Sequence, residues 1–420
     1  MPKSILARYR EAFINAAQAF IANPASTHLR EQLEAYPNLV TDWELINIPT
    51  GRDDCHTISR ALAKVGRFSE AREWSEQAVA AAETGDVHGR VDHASLGRSL
   101  HQVGYCLSSL GQHAEAKPWF ERAVAAKGKG DVHGRVDHAS LGRSVHQVGY
   151  CLSSLGQYAE ARPWFERAVA AAEEGDVHGR VDHKSLGRSL HQVGYCLSSV
   201  AQYAEARPWF ERAVAAAERG DVYGRVDHES LGRSLHQVGE CLSSVGQHAE
   251  ARPWFERAVV AKERGDVHGR VDSESVGRSL HQVGDCLSSV GQYTGARPWF
   301  ERAVAAAQKG DVHGRVDHES LGRSLHLVGY CLSSLGQHAG AKPWFERAVA
   351  AKEKGDIHGR VDGESLGRSL HQVGYCLSSL GQHAEAKPWF ERAVVAKEKG
   401  DVHGRVDGES VGRSLRSLGR

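Results

Sequence analysis

Apolar side chains return at a helical interval along most of this chain. Between residues 92 and 129, Leu96, Leu100, Val103, Leu107 and Leu110 are spaced four, three, four and three apart, which places them on one face of an α-helix. Asp92 stands just ahead of the run, where its carboxylate can accept from the first free N–H groups. Most later repeats carry a Glu in the first turn, which suits the helix dipole. Gly111-Gln112 breaks the helix, and a second apolar stripe follows at Ala116, Phe120, Ala123 and Val124, ended by Gly130. Pro118 falls early in this second helix, where a proline disrupts least. Gly97 and Gly104 share one side of the first helix. Each costs about 1 kcal/mol against alanine, a loss that close helix–helix approach would offset.

The same unit then recurs. The aspartate that opens it stands at Asp86, Asp131, Asp176, Asp221, Asp266, Asp311, Asp356 and Asp401, 45 residues apart each time. A fixed period of this size marks a solenoid of stacked repeats, because one helix pair cannot bury its own apolar faces. The organisation expected is a non-repeating helical cap over residues 1–50, a diverged first repeat over 51–84, seven near-identical repeats over 85–399, and a single capping helix over 400–420. Within the first segment the periodicity predicts a helix from Ser4 to Ala22, ended by Asn23-Pro24, and a short helix from Thr27 to Ala35. A loop or extended piece is expected over residues 41–51. In the last segment Arg416 and Ser417 replace the His-Gln pair found at His371 and Gln372, as suits a polar closing helix.

Leu100, Val103-Gly104 and Leu107, followed by Ala116 and Phe120, resemble the signature of the tetratricopeptide repeat. The signature's Trp, Leu and Tyr are replaced by other apolar residues, its closing Pro is absent, and the period is 45 rather than about 34. The longer unit, with GRVDHxS before the first helix and ARPWFERA in the second, resembles the extended repeats of kinesin light chain. The resemblance implies an all-α, right-handed superhelical solenoid of antiparallel helix pairs, with first helices lining a concave groove that takes peptides or proteins.

Charge and composition narrow the partners. Lys plus Arg and Asp plus Glu number 52 each, so the basic excess of a nucleic-acid or membrane-surface binder is missing. No run of 18 apolar residues is present, and the N-terminal MPKSILARYREAF lacks a signal-peptide pattern. A cytoplasmic protein is expected. The eight cysteines are Cys55 and seven in register from Cys106 to Cys376, without CxxC spacing, and read as reduced, buried thiols. Histidines number 25. His88 and His93 flank one inter-repeat loop, and the pair recurs at His133/His138, His178/His183 and His313/His318 but fails elsewhere. No zinc, EF-hand or HExxH spacing accompanies them, so no metal is expected. The reading preferred is a tight loop at Gly89 with His capping helix ends. Trp119 and its registered equivalents are expected to be packed rather than to form an exposed stripe. No nucleophile–base signature or phosphate-binding loop stands out, so neither an enzyme nor a cofactor is expected.

Candidate binding residues come from the other side of the first helix. At 100° per residue Arg98, Gln102, Tyr105 and Ser109 form one stripe, with His101 at its edge. The equivalents are Arg143, His146, Gln147 and Tyr150, then Arg188, His191, Gln192 and Tyr195. Arg233, His236, Gln237 and Glu240 follow, then Arg278, His281, Gln282 and Asp285. Arg323, His326 and Tyr330, and Arg368, His371, Gln372 and Tyr375, complete the rows, with Arg413 closing the arginine series. Such a floor can hydrogen-bond a peptide backbone, pair with carboxylates and offer aromatic area. Glu240 and Asp285 interrupt the tyrosines in consecutive repeats, which points to an acidic pocket for a basic side chain. The function expected is a scaffold or adaptor for a protein or peptide. The alternatives are a self-assembling module that forms a homo-oligomer and, less favoured, a His-loop site for a metal or small ligand.

Overall fold

The computed structural model describes residues 3–34, 52–85, 89–311 and 313–419, with side chains from residue 11 onward. The stretch expected to be a loop over 41–51 lies outside the described residues. Among the described residues there are 19 α-helices and no strand. The first two are α1 (Lys3–Ala22) and α2 (Thr27–Glu34), close to the spans their periodicity predicts. Helix pairs follow: α3 (Arg52–Lys64) with α4 (Phe68–Glu83), α5 (His93–Ser109) with α6 (His113–Lys129), and α7 (His138–Ser154) with α8 (Tyr158–Glu174). Next come α9 (His183–Ser199) and α10 (Tyr203–Arg219), then α11 (His228–Ser244) with α12 (His248–Glu263) and α13 (Ser273–Ser289) with α14 (Tyr293–Lys309). The chain ends with α15 (His318–Ser334) and α16 (His338–Lys352), α17 (Gly363–Ser379) and α18 (His383–Glu398), and the single α19 (Gly408–Leu418). The fold is an all-α repeat solenoid. It divides into two units, Met1–Gln202 with Arg219–Gly224, and Tyr203–Glu218 with Arg225–Arg420.

In the first unit α1 and α2 place Phe13, Ala17, Phe20 and Leu33 in one buried cluster with Ile58, Ala61, Leu62 and Trp74. Each repeat then builds its core from the residues whose spacing selects them. In α5 and α6 these are Leu100, Val103, Cys106 and Leu107 against Ala116, Phe120 and Ala123, all buried. Leu110 departs from its expected place. It is the last residue before the turn, its N–H closes onto Cys106 O and Leu107 O, and it is 41% exposed. Cys106 fills the packed position instead, and Val124 is half-buried.

Both unusual glycines earn their place by contact. A Cβ on Gly104 would stand 2.9 Å from the Phe120 ring, and one on Gly97 would stand 3.2 Å from Ala123 O. Gly111, at φ +78°, makes the turn between the two helices. Pro118 lies inside α6, which continues past it to Lys129.

The connection between repeats is organised by its aspartate. Asp131 Oδ1 accepts from the N–H groups of His133 (2.8 Å) and Arg135 (3.0 Å), and Oδ2 accepts from Arg135 Nε at 2.9 Å. These bonds hold the Asp131 carboxyl down at about 2. The next aspartate, Asp137, caps the following helix by accepting from Ser140 N. The histidine was expected to cap; it is instead the first helical residue, because a short carboxylate reaches the free N–H groups that a neutral ring serves poorly.

Candidate functional site

Three kinds of position alternate on each first helix. Arg98, Arg143 and Arg188 are exposed, as are Tyr105, Tyr150 and Tyr195, and Gln102, Gln147 and Gln192 are half-buried between them. The second unit repeats this with Arg233, Arg278, Arg323 and Arg368, with Gln237, Gln282 and Gln372, and with Tyr330 and Tyr375. On each first helix the stripe drawn from the 100° rule is therefore open, with exposed Arg and Tyr around half-buried Gln. The arginines are steadied from their own helices: Arg188 Nη2 donates to Ser185 Oγ at 3.2 Å and Arg233 Nη2 to Ser230 Oγ at 3.0 Å. Each tyrosine leans edge-on against the ring that opens the preceding repeat's second helix, as in Tyr158–Tyr195 at 5.9 Å and His338–Tyr375 at 5.6 Å. That contact holds the phenol upright and leaves about two-fifths of the residue exposed.

The histidines belong to the seam between repeats. His101 Nδ1 pairs with Ser144 Oγ at 2.9 Å, and its ring packs on Phe120 at 5.2 Å. The same reach to the next repeat recurs at His146–Ser189, His236–Ser279, His326–Ser369 and His371–Ser414. Burial pushes His146 and His371 down to about 4, and holds His101, His236 and His326 well below the usual imidazole range. His191 holds the equivalent position on α9.

The two acids that interrupt the tyrosines are half-buried beside their own histidines, Glu240 Oε1 3.5 Å from His236 Nε2 and Asp285 Oδ2 3.2 Å from His281 Nε2. Burial, and then the charge of Asp285, raise the Glu240 carboxyl above its ordinary range.

A buried lysine, which apolar spacing does not single out, lies in the same seam. Lys127 Nζ donates to Ser140 O at 3.0 Å and Ser144 Oγ at 2.8 Å. The serine hydroxyl thus accepts from the ammonium and has its own hydrogen for His101 Nδ1. Lys262 and Lys397 make the same two bonds, and Lys352 the bond to the carbonyl. The signal was present: Lys127 follows Phe120 by seven residues, on the apolar side of α6.

On the second helices Arg122 stacks its guanidinium over Trp119, 4.6 Å from the ring centre, and this recurs at Arg257–Trp254 and Arg392–Trp389. The tryptophans are half-buried, packed on one side and covered by arginine on the other. Among the described residues, no three His, Cys, Asp or Glu side chains gather as metal ligands would, and no helix is long and apolar enough to cross a membrane.

Sequence models of the tetratricopeptide repeat match residues 140–219 and 275–354, and residues 97–129 and 367–399. The chain belongs to the tetratricopeptide-repeat family. The family's closely packed positions are occupied here by Gly104, Ala116 and Phe120, the last two fully buried. Among solved structures with this tetratricopeptide-like fold, the apo form of RapI is 14% identical, with 93% of this chain and 98% of that one covered at a TM-score of 0.53. The C-terminal part of a TPR repeat-containing protein from Cytophaga hutchinsonii is 11% identical, covering 76% of this chain and 99% of that one at a TM-score of 0.51. A kinesin light chain-like protein of nearly identical TPR-like repeats from Podosopora anserina is 24% identical, covering 50% of this chain and 95% of that one at a TM-score of 0.39. No curated protein matches the chain.

Proposed function

We propose that this chain is a non-catalytic scaffold that binds a protein or peptide on the open face of its first helices. The observation that carries this reading is the registered row of exposed arginines and tyrosines. A solvated helix face has no need of an upright aromatic at the same register position in five repeats, Tyr105, Tyr150, Tyr195, Tyr330 and Tyr375. Tyrosine and arginine are the side chains that supply most binding energy in protein interfaces, and their partial immobilisation lowers the entropy lost on docking. The half-buried glutamines add donors and acceptors for a peptide backbone. The cysteines favour binding over chemistry: all eight are buried, and burial pushes thiols such as Cys106 and Cys151 up to about 11, away from a reactive thiolate. His101, His146, His236, His326 and His371 are committed to a serine of the next repeat.

The test replaces Arg98, Arg143 and Arg188 with Ala together and compares partner capture from the native host with that of the unaltered chain. These side chains are exposed, so the melting temperature should hold within a few degrees. A partner retained by the parent and lost by the variant is the expected result. Identical capture by both would overturn the assignment of this face.

A further inference from the structure

At one register position the chain alternates between a cation and a methyl group: lysine at Lys127, Lys262, Lys352 and Lys397, alanine at Ala82, Ala172, Ala217 and Ala307. Where it is lysine, the repeat that follows supplies a built ammonium site. Lys262 is 2% exposed, and its Nζ donates to Ser275 O at 3.0 Å and Ser279 Oγ at 2.9 Å. Burial pulls Lys262 down to about 8, with Arg278 and Arg233 acting the same way, and the carboxylates of Glu229 and Asp272 oppose them.

One repeat later the lysine is gone, and the Ser324 hydroxyl turns back to donate to Ser320 O at 3.2 Å. A cavity of about 340 Å³ opens at Ala307, lined by Glu274, Asp285, Ser320 and Ser324 and also by Arg278, Arg323, His236 and His281. Glu274 stands where Glu229 stands beside Lys262, and Ser320 and Ser324 stand where Ser275 and Ser279 do, each 45 residues on. The carboxylate has also lost a bond. Glu229 Oε1 accepts from the Ser275 hydroxyl at 3.1 Å, whereas the Ser320 hydroxyl turns to Asp317 at 2.6 Å and Glu274 Oε1 stands 4.0 Å from Arg278 Nη1.

We propose that this cavity receives the side-chain ammonium of a lysine on the bound partner, which takes the place that Lys262 fills from within the chain. The volume lies at the lower end for small-molecule pockets, enough for one extended side chain. The two arginines do not forbid a cation, since their equivalents Arg233 and Arg278 flank Lys262 with its ammonium in place. Lysine is the residue named because the place at Ala307 is the one that Lys262 fills one repeat earlier, with Glu274 in register with the Glu229 that stands beside it. The cavity at Ala172, of about 120 Å³, is an internal control. There Ala139 stands in register with Glu274 and Tyr150 with Asp285, so those two carboxylates are missing, and the carboxylate that lines it is Asp182, from the loop ahead of the next helix.

The proposal deepens the reading of the first-helix face as a docking surface, but its test does not depend on that reading. Nα-acetyl-lysine methylamide is titrated into the full chain and followed by the alanine methyl resonances, with the norleucine derivative as an uncharged control. The expected result is a saturable shift of the Ala307 methyl with the lysine probe and none with norleucine. Glu274→Gln with Asp285→Asn should weaken it at least tenfold. Ala307→Lys installs the residue that four other repeats already carry, so it should fold, fill its own cavity and abolish the response. Lys262→Ala should create a second site for the same probe. No response from the parent, equal response to norleucine, or binding that survives Ala307→Lys would each overturn the proposal. The arginine variants in the first unit leave this titration unchanged, so the cavity and the docking face can fail separately.

Discussion

At the scale of single residues, glycine should be more stable than alanine at two positions, for two different reasons. Gly239 lies inside α11, where alanine would be favoured by up to about 1 kcal/mol on propensity alone. Its added Cβ would stand 2.7 Å from Cε1 of Phe255, a fully buried ring. Overpacking a well-filled core costs typically about 1–3 kcal/mol, so Gly239→Ala should lower the unfolding free energy by roughly 1–2 kcal/mol in denaturant titration. Ala201 already carries the alanine. It occupies the turn position held by Gly111, Gly156, Gly246 and Gly291 in other repeats, at φ +60°. A left-handed non-glycine residue costs roughly 1–2 kcal/mol, part of which glycine's extra freedom in the unfolded chain takes back. Ala201→Gly should therefore stabilise, by about 0.5–1 kcal/mol, and unchanged stability would show the turn to be relaxed as it stands.

At the scale of helices and their seams, the sequence was legible wherever the helix period decides the outcome. Leu100, Val103, Leu107 and Phe120 are buried because spacing puts them on one side of their helices. Leu110 misled because periodicity cannot see that a helix has ended. The seam was illegible for another reason: His101, Ser144 and Lys127 come from three helices, and only packing brings them together. The seam makes a prediction about pH. Burial, and then the charge of Arg143, push the Lys127 ammonium down to about 7 from its ordinary 10.5. Below pH 7 the lysine is protonated in both folded and unfolded chains. Between 7 and 10.5 the unfolded chain keeps the proton and the folded one releases it, so stability rises with pH across that window. The cysteines act oppositely above pH 9, since burial raises their thiols to about 11 from 9. From pH 7 to 9 the parent should thus gain roughly 2 kcal/mol relative to Lys127→Met. Parallel stability curves for the two proteins would show that Lys127 keeps its proton on folding.

At the scale of the whole molecule, the repeat explains both what could be read and what could not. The arginine and tyrosine rows were readable because exposure on a helix follows from the same period that sets burial. The cavity at Ala307 was not, because a missing side chain becomes a site only when the next repeat's serine carbonyl and hydroxyl are set against it. Dependence on the next repeat is general: His146 reaches Ser189, Lys262 reaches Ser275, and Arg302 Nη2 reaches Glu263 Oε1 of the preceding second helix at 2.9 Å. A repeat cut from its neighbours loses these partners and exposes the faces they cover, and ordering its backbone costs about 1–2 kcal/mol per residue. Stability in such an array accumulates from repeat to repeat, and about three are needed. A peptide of residues 272–316 should therefore be unfolded by circular dichroism at 25 °C. A fragment of residues 225–420, which keeps four complete helix pairs and the closing α19, should be helical and melt cooperatively. Native-like helicity in the single repeat would mean that contacts within the pair suffice, and that the bonds between repeats align the array rather than hold it folded.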